Sequence, residues 1–245
     1  MNKPICQRIR HAQQEHRPLL ALLLDPDKTP IAPPIADEAD RLGVSMLLVG
    51  GSEVHTDMSQ YVRNLRQRTP LPVVLFPGDA AQFTPEAHAI MLPTLISGRN
   101  PNYLIGQHIR SARSIKCSGI EVLPTGYLLI DGGRTTAVQR VSQTQPIPPS
   151  DVELAASTAM AGELLGLGLI YLEAGSGALN PVPRAIIRGV RSAVELPLVV
   201  GGGLRSLAQL ADALAAGADV LVLGNSVEAN PDFLRQAAAF MRGRQ

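Results

Sequence analysis

The chain has 245 residues, of which 45% are hydrophobic and 18% charged, enough apolar material for a large buried core and too little polarity for disorder. With 22 basic against 21 acidic side chains and a formal net charge of +1, no field of one sign exists to collect nucleic acid or an anionic membrane. Met1 leads into a polar stretch rather than a signal peptide, and Cys6 and Cys117 belong to no CxxC pattern. The longest apolar runs, such as Pro18 to Leu24, are strand-sized and fall well short of the roughly 18 residues of a membrane span. The expectation is a cytoplasmic protein with two unpaired thiols.

Short apolar runs alternate with longer segments of helical period along the whole chain, which predicts repeated βα units around a parallel sheet. The candidate strands are Leu19–Leu24, Ser45–Val49, Val73–Phe76, Ala89–Leu92, Ile120–Leu123, Leu169–Leu172, Leu198–Val200 and Val220–Leu223. Eight such units in a chain of this length predict one (β/α)8 barrel, of the TIM type, as a single domain over 1–245. Strand exits then fall near Asp25, Gly50, Pro77, Pro93, Pro124, Glu173, Gly201 and Gly224, and in a barrel the exits form the catalytic face.

Helix signals occupy the gaps. Ser150 with Glu153 and Ser206 with Gln209 fit capping boxes, and Asn230-Pro231 reads as a cap followed by a first-turn proline. Two gaps are irregular. Pro77 and Pro93 are only sixteen positions apart, so the third helix is expected to be missing or reduced to a turn. After the fifth strand, Tyr127–Ile130, Asp131-Gly132-Gly133-Arg134 and Thr135–Val141 predict an inserted hairpin, and the Pro-rich piece Gln145–Pro149 leads into the fifth helix.

Three glycine-bearing loops follow the late strands: Glu173-Ala174-Gly175-Ser176-Gly177, Gly201-Gly202-Gly203 and Gly224-Asn225-Ser226. Glycine lets backbone N–H groups approach an anion, and barrels commonly hold phosphate at the loops after strands seven and eight. The same glycines could simply terminate strands. At the opposite rim stand Asp25-Pro26-Asp27-Lys28 and Gly50-Gly51-Ser52-Glu53, where Asp25 and Ser52 offer oxygen ligands suited to Mg²⁺; Asp-Pro-Asp is also an ordinary turn sequence. Glu173, at the opening of the sixth strand, could take a proton from an attacking hydroxyl or be held structurally by nearby amides. The five histidines, at 11, 16, 55, 88 and 108, show no ligand spacing, and no GxSxG elbow, Walker loop or HExxH helix occurs.

Together these residues resemble the geranylgeranylglyceryl phosphate synthase family, including its heptaprenyl relatives. The shared segments are LLLDPDK at 22–28, LLVGGSEV at 47–54, YLEAGSGA at 171–178, VVGGGLRS at 199–206 and VLVLGNS at 220–226. The resemblance implies a barrel with a modified third unit, a homo-oligomer, and transfer of a polyprenyl group from its diphosphate to sn-glycerol 1-phosphate. It implies further that Asp25 and Ser52 hold Mg²⁺. Tyr171, Leu172, Glu173, Ala174, Gly175, Ser176 and Gly177, with Gly202, Gly203, Gly224 and Asn225, would bind glycerol phosphate. Tyr171 and Glu173 would be catalytic, Glu173 orienting or deprotonating the hydroxyl.

With 3% aromatic residues and no Trp, a prenyl groove must be lined mainly by aliphatic side chains, and Tyr103 on the fourth helix is a candidate limiter of its depth. Two other readings fit the loops: a sugar-phosphate isomerase or aldolase, for which only Lys28 lies near a strand exit as a Schiff-base lysine, or a phosphate-binding protein without catalysis.

Overall fold

The structure, a computed structural model, describes residues 4–29 and 34–243; the Met1 segment weighed above lies outside them. Eight parallel strands close into a barrel in sequence order: β1 (Leu19–Leu24), β2 (Met46–Val49), β3 (Val73–Leu75), β4 (Ala89–Leu95), β5 (Glu121–Leu129), β6 (Leu169–Glu173), β7 (Leu198–Gly201) and β8 (Val220–Leu223). The ring is sealed by β1 pairing with β8, Leu20 opposite Leu221. Because strand side chains alternate, each apolar run serves two layers. Leu19 and Ala21 of β1, Met46 and Leu48 of β2, Leu169 and Tyr171 of β6, and Val220 and Val222 of β8 fill the interior. The intervening residues, such as Leu20, Leu47, Ile170 and Leu172, meet the outer helices.

Those helices are α1 (Pro4–Gln14), α2 (Pro34–Leu42), α3 (Met58–Arg68), α4 (Gln107–Ser118), α5 (Ala137–Ser142), α6 (Val152–Leu164), α7 (Arg184–Ala193), α8 (Leu207–Ala215), α9 (Asn225–Ala229) and α10 (Asp232–Arg242). On α7, Ile186, Ile187 and Val190 are buried against the barrel at helical spacing, and each such aliphatic side chain contributes about 1.5–3 kcal/mol. The first helix closes the bottom of the barrel. Ile5, Ile9 and Ala12 join the interior cluster, and Glu121, at the start of β5, accepts the N–H groups of Ile5 at 3.0 Å and Cys6 at 2.8 Å. Cys6 and Cys117 are free thiols.

The third unit lacks its helix: only the 3-10 turn Ala80–Gln82 lies between β3 and β4, as the short spacing predicts. Other expectations need correction. β4 and β5 do not end at Pro93 and Pro124 but continue to Leu95 and Leu129, paired through Leu92 opposite Pro124 and Pro93 opposite Thr125. A proline surrenders its own N–H yet tolerates extended geometry, and the apolar residues beyond it keep the pairing.

The hairpin after the fifth strand does not form. Tyr127–Leu129 end β5, Gly133 N–H bonds back to Asp131 Oδ1, and α5 occupies the expected second arm. Both edges of β5 are already taken by β4 and β6, and Thr136 instead caps α5 by accepting the Gln139 N–H. Asp151 rather than Ser150 caps α6, accepting the Leu154 N–H at 3.0 Å. The Ser206–Gln209 capping box is present, and Asn230 Oδ1 accepts the Asp232 N–H at the start of α10.

Candidate active site

Strand phase selects the chemistry. Leu19, Ala21 and Leu23 point inward, so Asp25, one step past β1, continues that face; Leu169 and Tyr171 point inward, so Glu173 does too. These side chains enter a pocket of about 290 Å³ at the strand exits, together with Ser52, Gly175, Ser176, Gly177, Gly202, Gly203, Gly224 and Asn225. Leu172 and Ala174 depart from the expected set. Both fall on the opposite phase and pack in the outer core, and the Ala174 N–H is used by Gly201 O at 3.1 Å.

Glu173 is 6% exposed, sits between Leu129 of β5 and Gly201 of β7, and accepts the Gly175 N–H through Oε1 at 2.7 Å. Burial raises its pKa to about 7, against the opposing pull of the Gly175 N–H and the Tyr171 hydroxyl. That hydroxyl is buried and reaches no hydrogen bond of good geometry, although it lies close enough to Glu173 to favour the carboxylate. A side chain at Gly202 could not coexist with this arrangement: its Cβ would stand 2.2 Å from Glu173 Oε1, and its φ is +78°.

On the phosphate side, Ser176 Oγ bonds to Asn225 Oδ1 at 2.9 Å, tying the loop after β6 to the start of α9. Gly203 has a role the sequence did not reveal. A Cβ there would meet Asn180 O at 2.7 Å, so this glycine lets two loops pack. Arg205, not singled out from sequence, lines the pocket beside these loops and donates to Gly177 O at 3.5 Å and Ala178 O at 2.5 Å. Its only signal was its place directly after the Gly-Gly-Gly-Leu run.

On the opposite rim the Asp-Pro-Asp motif divides its labour. Asp27 holds the β2–α3 loop, and its pKa is lowered first by the Thr56 hydroxyl bond at 2.7 Å and then by the N–H bonds it accepts from His55 at 2.8 Å and Thr56 at 2.8 Å. Asp25 faces the pocket, pairs through Oδ2 with Lys28 Nζ at 3.1 Å, and lies 3.4 Å from where a Cβ of Gly51 would stand. Lys28 also approaches Glu228 Oε2 at 3.8 Å. Among the described residues no group of three or more His, Cys, Asp or Glu could hold a metal. One carboxylate and the Ser52 hydroxyl nevertheless suit Mg²⁺, which is completed by water and substrate phosphates.

The pocket also has an apolar trough walled by Ile90, Leu92, Leu95, Val138 and Val141, of which Ile90 and Leu92 lie on the outer face of β4. Tyr103 lines it from the π-helical turn Asn102–Gly106 that precedes α4, not from α4 itself.

Residues 11–241 match the PcrB family. The chain belongs to that family. Among PcrB-like relatives, the geranylgeranylglyceryl phosphate synthase of Spirosoma linguale is 46% identical over 239 residues, covering 96% of this chain and 95% of that protein. The protein of the same description from Pyrococcus horikoshii is 39% identical over 225 residues, covering 89% and 87%. The (S)-3-O-geranylgeranylglyceryl phosphate synthase of Thermoplasma acidophilum, solved with sn-glycerol-1-phosphate, superposes with a TM-score of 0.90 at 28% identity, covering 99% of this chain and 100% of that one. The YdjI aldolase of Escherichia coli shares the barrel only, at 15% identity and a TM-score of 0.55.

Proposed function

We propose that this PcrB-family chain is a Mg²⁺-dependent prenyltransferase that joins a polyprenyl diphosphate to sn-glycerol 1-phosphate. The carrying observation is Glu173: a buried carboxylate with a pKa near 7, set between a rim of glycine loops and a rim of oxygen ligands. A base poised near neutral pH suits removal of a hydroxyl proton.

Glycerol phosphate binds with its phosphate at Gly177, Gly203, Gly224 and Asn225, under the positive charge of Arg205, and its free hydroxyl towards Glu173. The prenyl diphosphate binds with its anionic head at Asp25 and Ser52 and its tail in the trough. Mg²⁺ held there would neutralise the diphosphate and make it a better leaving group. The glycerol oxygen forms a bond to the first prenyl carbon, the bond from that carbon to the diphosphate oxygen breaks, the electron pair leaves with pyrophosphate, and the hydroxyl proton passes to Glu173. Positioning and electrostatics supply most of the rate.

The enzyme acts as a homo-oligomer in the cytoplasm, drawing its lipid substrate from a membrane that it does not cross; among the described residues no helix is long and apolar enough to do so. Incubation with sn-glycerol 1-phosphate and prenyl diphosphates of several lengths, with Mg²⁺ or with chelator, tests the assignment by mass spectrometry. An ether product of matching mass and Mg²⁺-dependent pyrophosphate release are expected. Binding of glycerol phosphate without product would leave a non-catalytic binder, and aldol cleavage of a sugar phosphate would favour the aldolase alternative. Light scattering reads the oligomer.

A further inference from the structure

The chain contains four Phe, four Tyr and no Trp, yet Phe76, Phe83, Tyr103, Tyr127 and Tyr171 all line the pocket at the strand exits. Three of them form a cluster in the barrel axis. The ring centroids of Phe76 and Tyr171 are 4.9 Å apart, those of Tyr127 and Tyr171 5.6 Å, and those of Phe76 and Tyr127 6.0 Å. Strand phase puts them there, since Phe76 follows inward-facing Val74 and both tyrosines occupy inward positions of their strands. They make the top layer of the barrel filling, and Glu173 stands one inward step above Tyr171. Tyr127 is 7% exposed and Tyr171 fully buried, whereas Phe76 is only partly covered, so Phe76 is the ring open to a ligand.

Packing alone does not require aromatics here. The other barrel layers are filled by Leu, Met, Val and Ala, which would serve equally well beneath an apolar tail. What a ring adds is a negative face, able to attract a cation in a site from which water is displaced. Burial, the largest influence on each, holds both phenols protonated far above their usual range, so the layer carries no formal charge that would trap a cation as an ion pair.

Resting on the transferase assignment above, we propose that Phe76, held in place by Tyr127 and Tyr171, is a further catalytic residue whose ring face stabilises the positive charge on the allylic carbons. As the bond from carbon to diphosphate lengthens, its electron pair goes to pyrophosphate and the charge spreads over the first and third prenyl carbons. The glycerol oxygen then donates its pair to the first carbon and Glu173 takes its proton, which restores neutrality at the ring.

Graded fluorination tests this without altering shape. Phenylalanine carrying one, two or three ring fluorines is placed at position 76 of the full chain by nonsense suppression, and single-turnover prenyl transfer is timed at saturating Mg²⁺ and both substrates. The logarithm of the rate should fall stepwise with fluorine number, to about tenfold or more below wild type for the trifluoro ring, with the Michaelis constant for the diphosphate nearly unchanged. Phe76→Leu should fall at least as far. A rate independent of fluorine number in folded variants would overturn the ring assignment alone, even if Phe76→Leu were slow, because only packing would then be at stake. A wild-type chain that forms no ether at all would overturn the transferase assignment, and this inference with it.

Discussion

Glu173 carries opposite consequences for activity and stability. In the proposed mechanism Glu173 must be deprotonated to act as the base, so the kcat/KM of the wild type should rise with pH through about 7 and then level. Glu173→Gln should lack that inflection and lower the maximal rate roughly 10²–10⁴-fold; an unchanged rate would reduce Glu173 to a structural residue. In stability the sign reverses. The folded pKa lies above the unfolded value near 4.5, so the wild type is relatively most stable below pH 4.5 and loses stability as pH rises through about 7. At pH 8 Glu173→Gln should therefore exceed wild type by on the order of 3 kcal/mol in denaturant unfolding, the advantage vanishing near pH 4. A second residue shows how a plausible probe can mislead. From sequence, Gly203→Val should selectively weaken glycerol phosphate binding, but its φ of +72° and the Asn180 carbonyl 2.7 Å from its Cβ position make it a folding mutant, expected to lose at least ~2 kcal/mol. Asn225→Asp is the cleaner substitution. A carboxylate beside the bound phosphate should raise the Michaelis constant for glycerol phosphate at least about tenfold and leave that for the diphosphate nearly unchanged. Equal weakening of both substrates would contradict the division into two rims.

At the scale of elements, the barrel separates stability from chemistry by its two ends. The N-terminal end is closed by α1, whose first-turn N–H groups are satisfied by Glu121 across 116 positions of chain. Glu121→Ala leaves those N–H groups without their acceptor and should lower unfolding stability by about 1–3 kcal/mol, with steady-state constants unchanged. Impaired turnover in a folded Glu121→Ala protein would show the two ends to be coupled. The C-terminal end owes its trough to the missing third helix and to the extensions of β4 and β5, which carry Leu95 and Tyr127 up beside the pocket.

For the molecule as a whole, the proposed function has two anionic ligands meet at one carboxylate from opposite rims of the pocket. Their binding should be separable. Glycerol phosphate should raise Tm without Mg²⁺, whereas a non-hydrolysable prenyl diphosphate analogue should do so only with it. Asp25→Asn should abolish the second stabilisation and turnover while preserving the first and the circular dichroism spectrum. A variant that kept Mg²⁺-dependent turnover would remove Asp25 from the metal rim.

Local sequence determined the eight strands, the absent helix, the capping box at Ser206 and the motifs that carry the family, because periodicity, spacing and capping are written in neighbouring residues. It also placed Asp25, Ser52 and Glu173 at strand exits. It failed where neighbours in space decide. The hairpin after β5 has no free edge on which to pair, Asp27 is drawn to a loop 28 positions away, and the close packing of Gly203 on Asn180 joins two loops that are distant in the chain. The raised pKa of Glu173 and the aromatic layer beneath it likewise exist only after closure of the barrel. Burial and ring contacts belong to the ring of strands, and no single strand contains them.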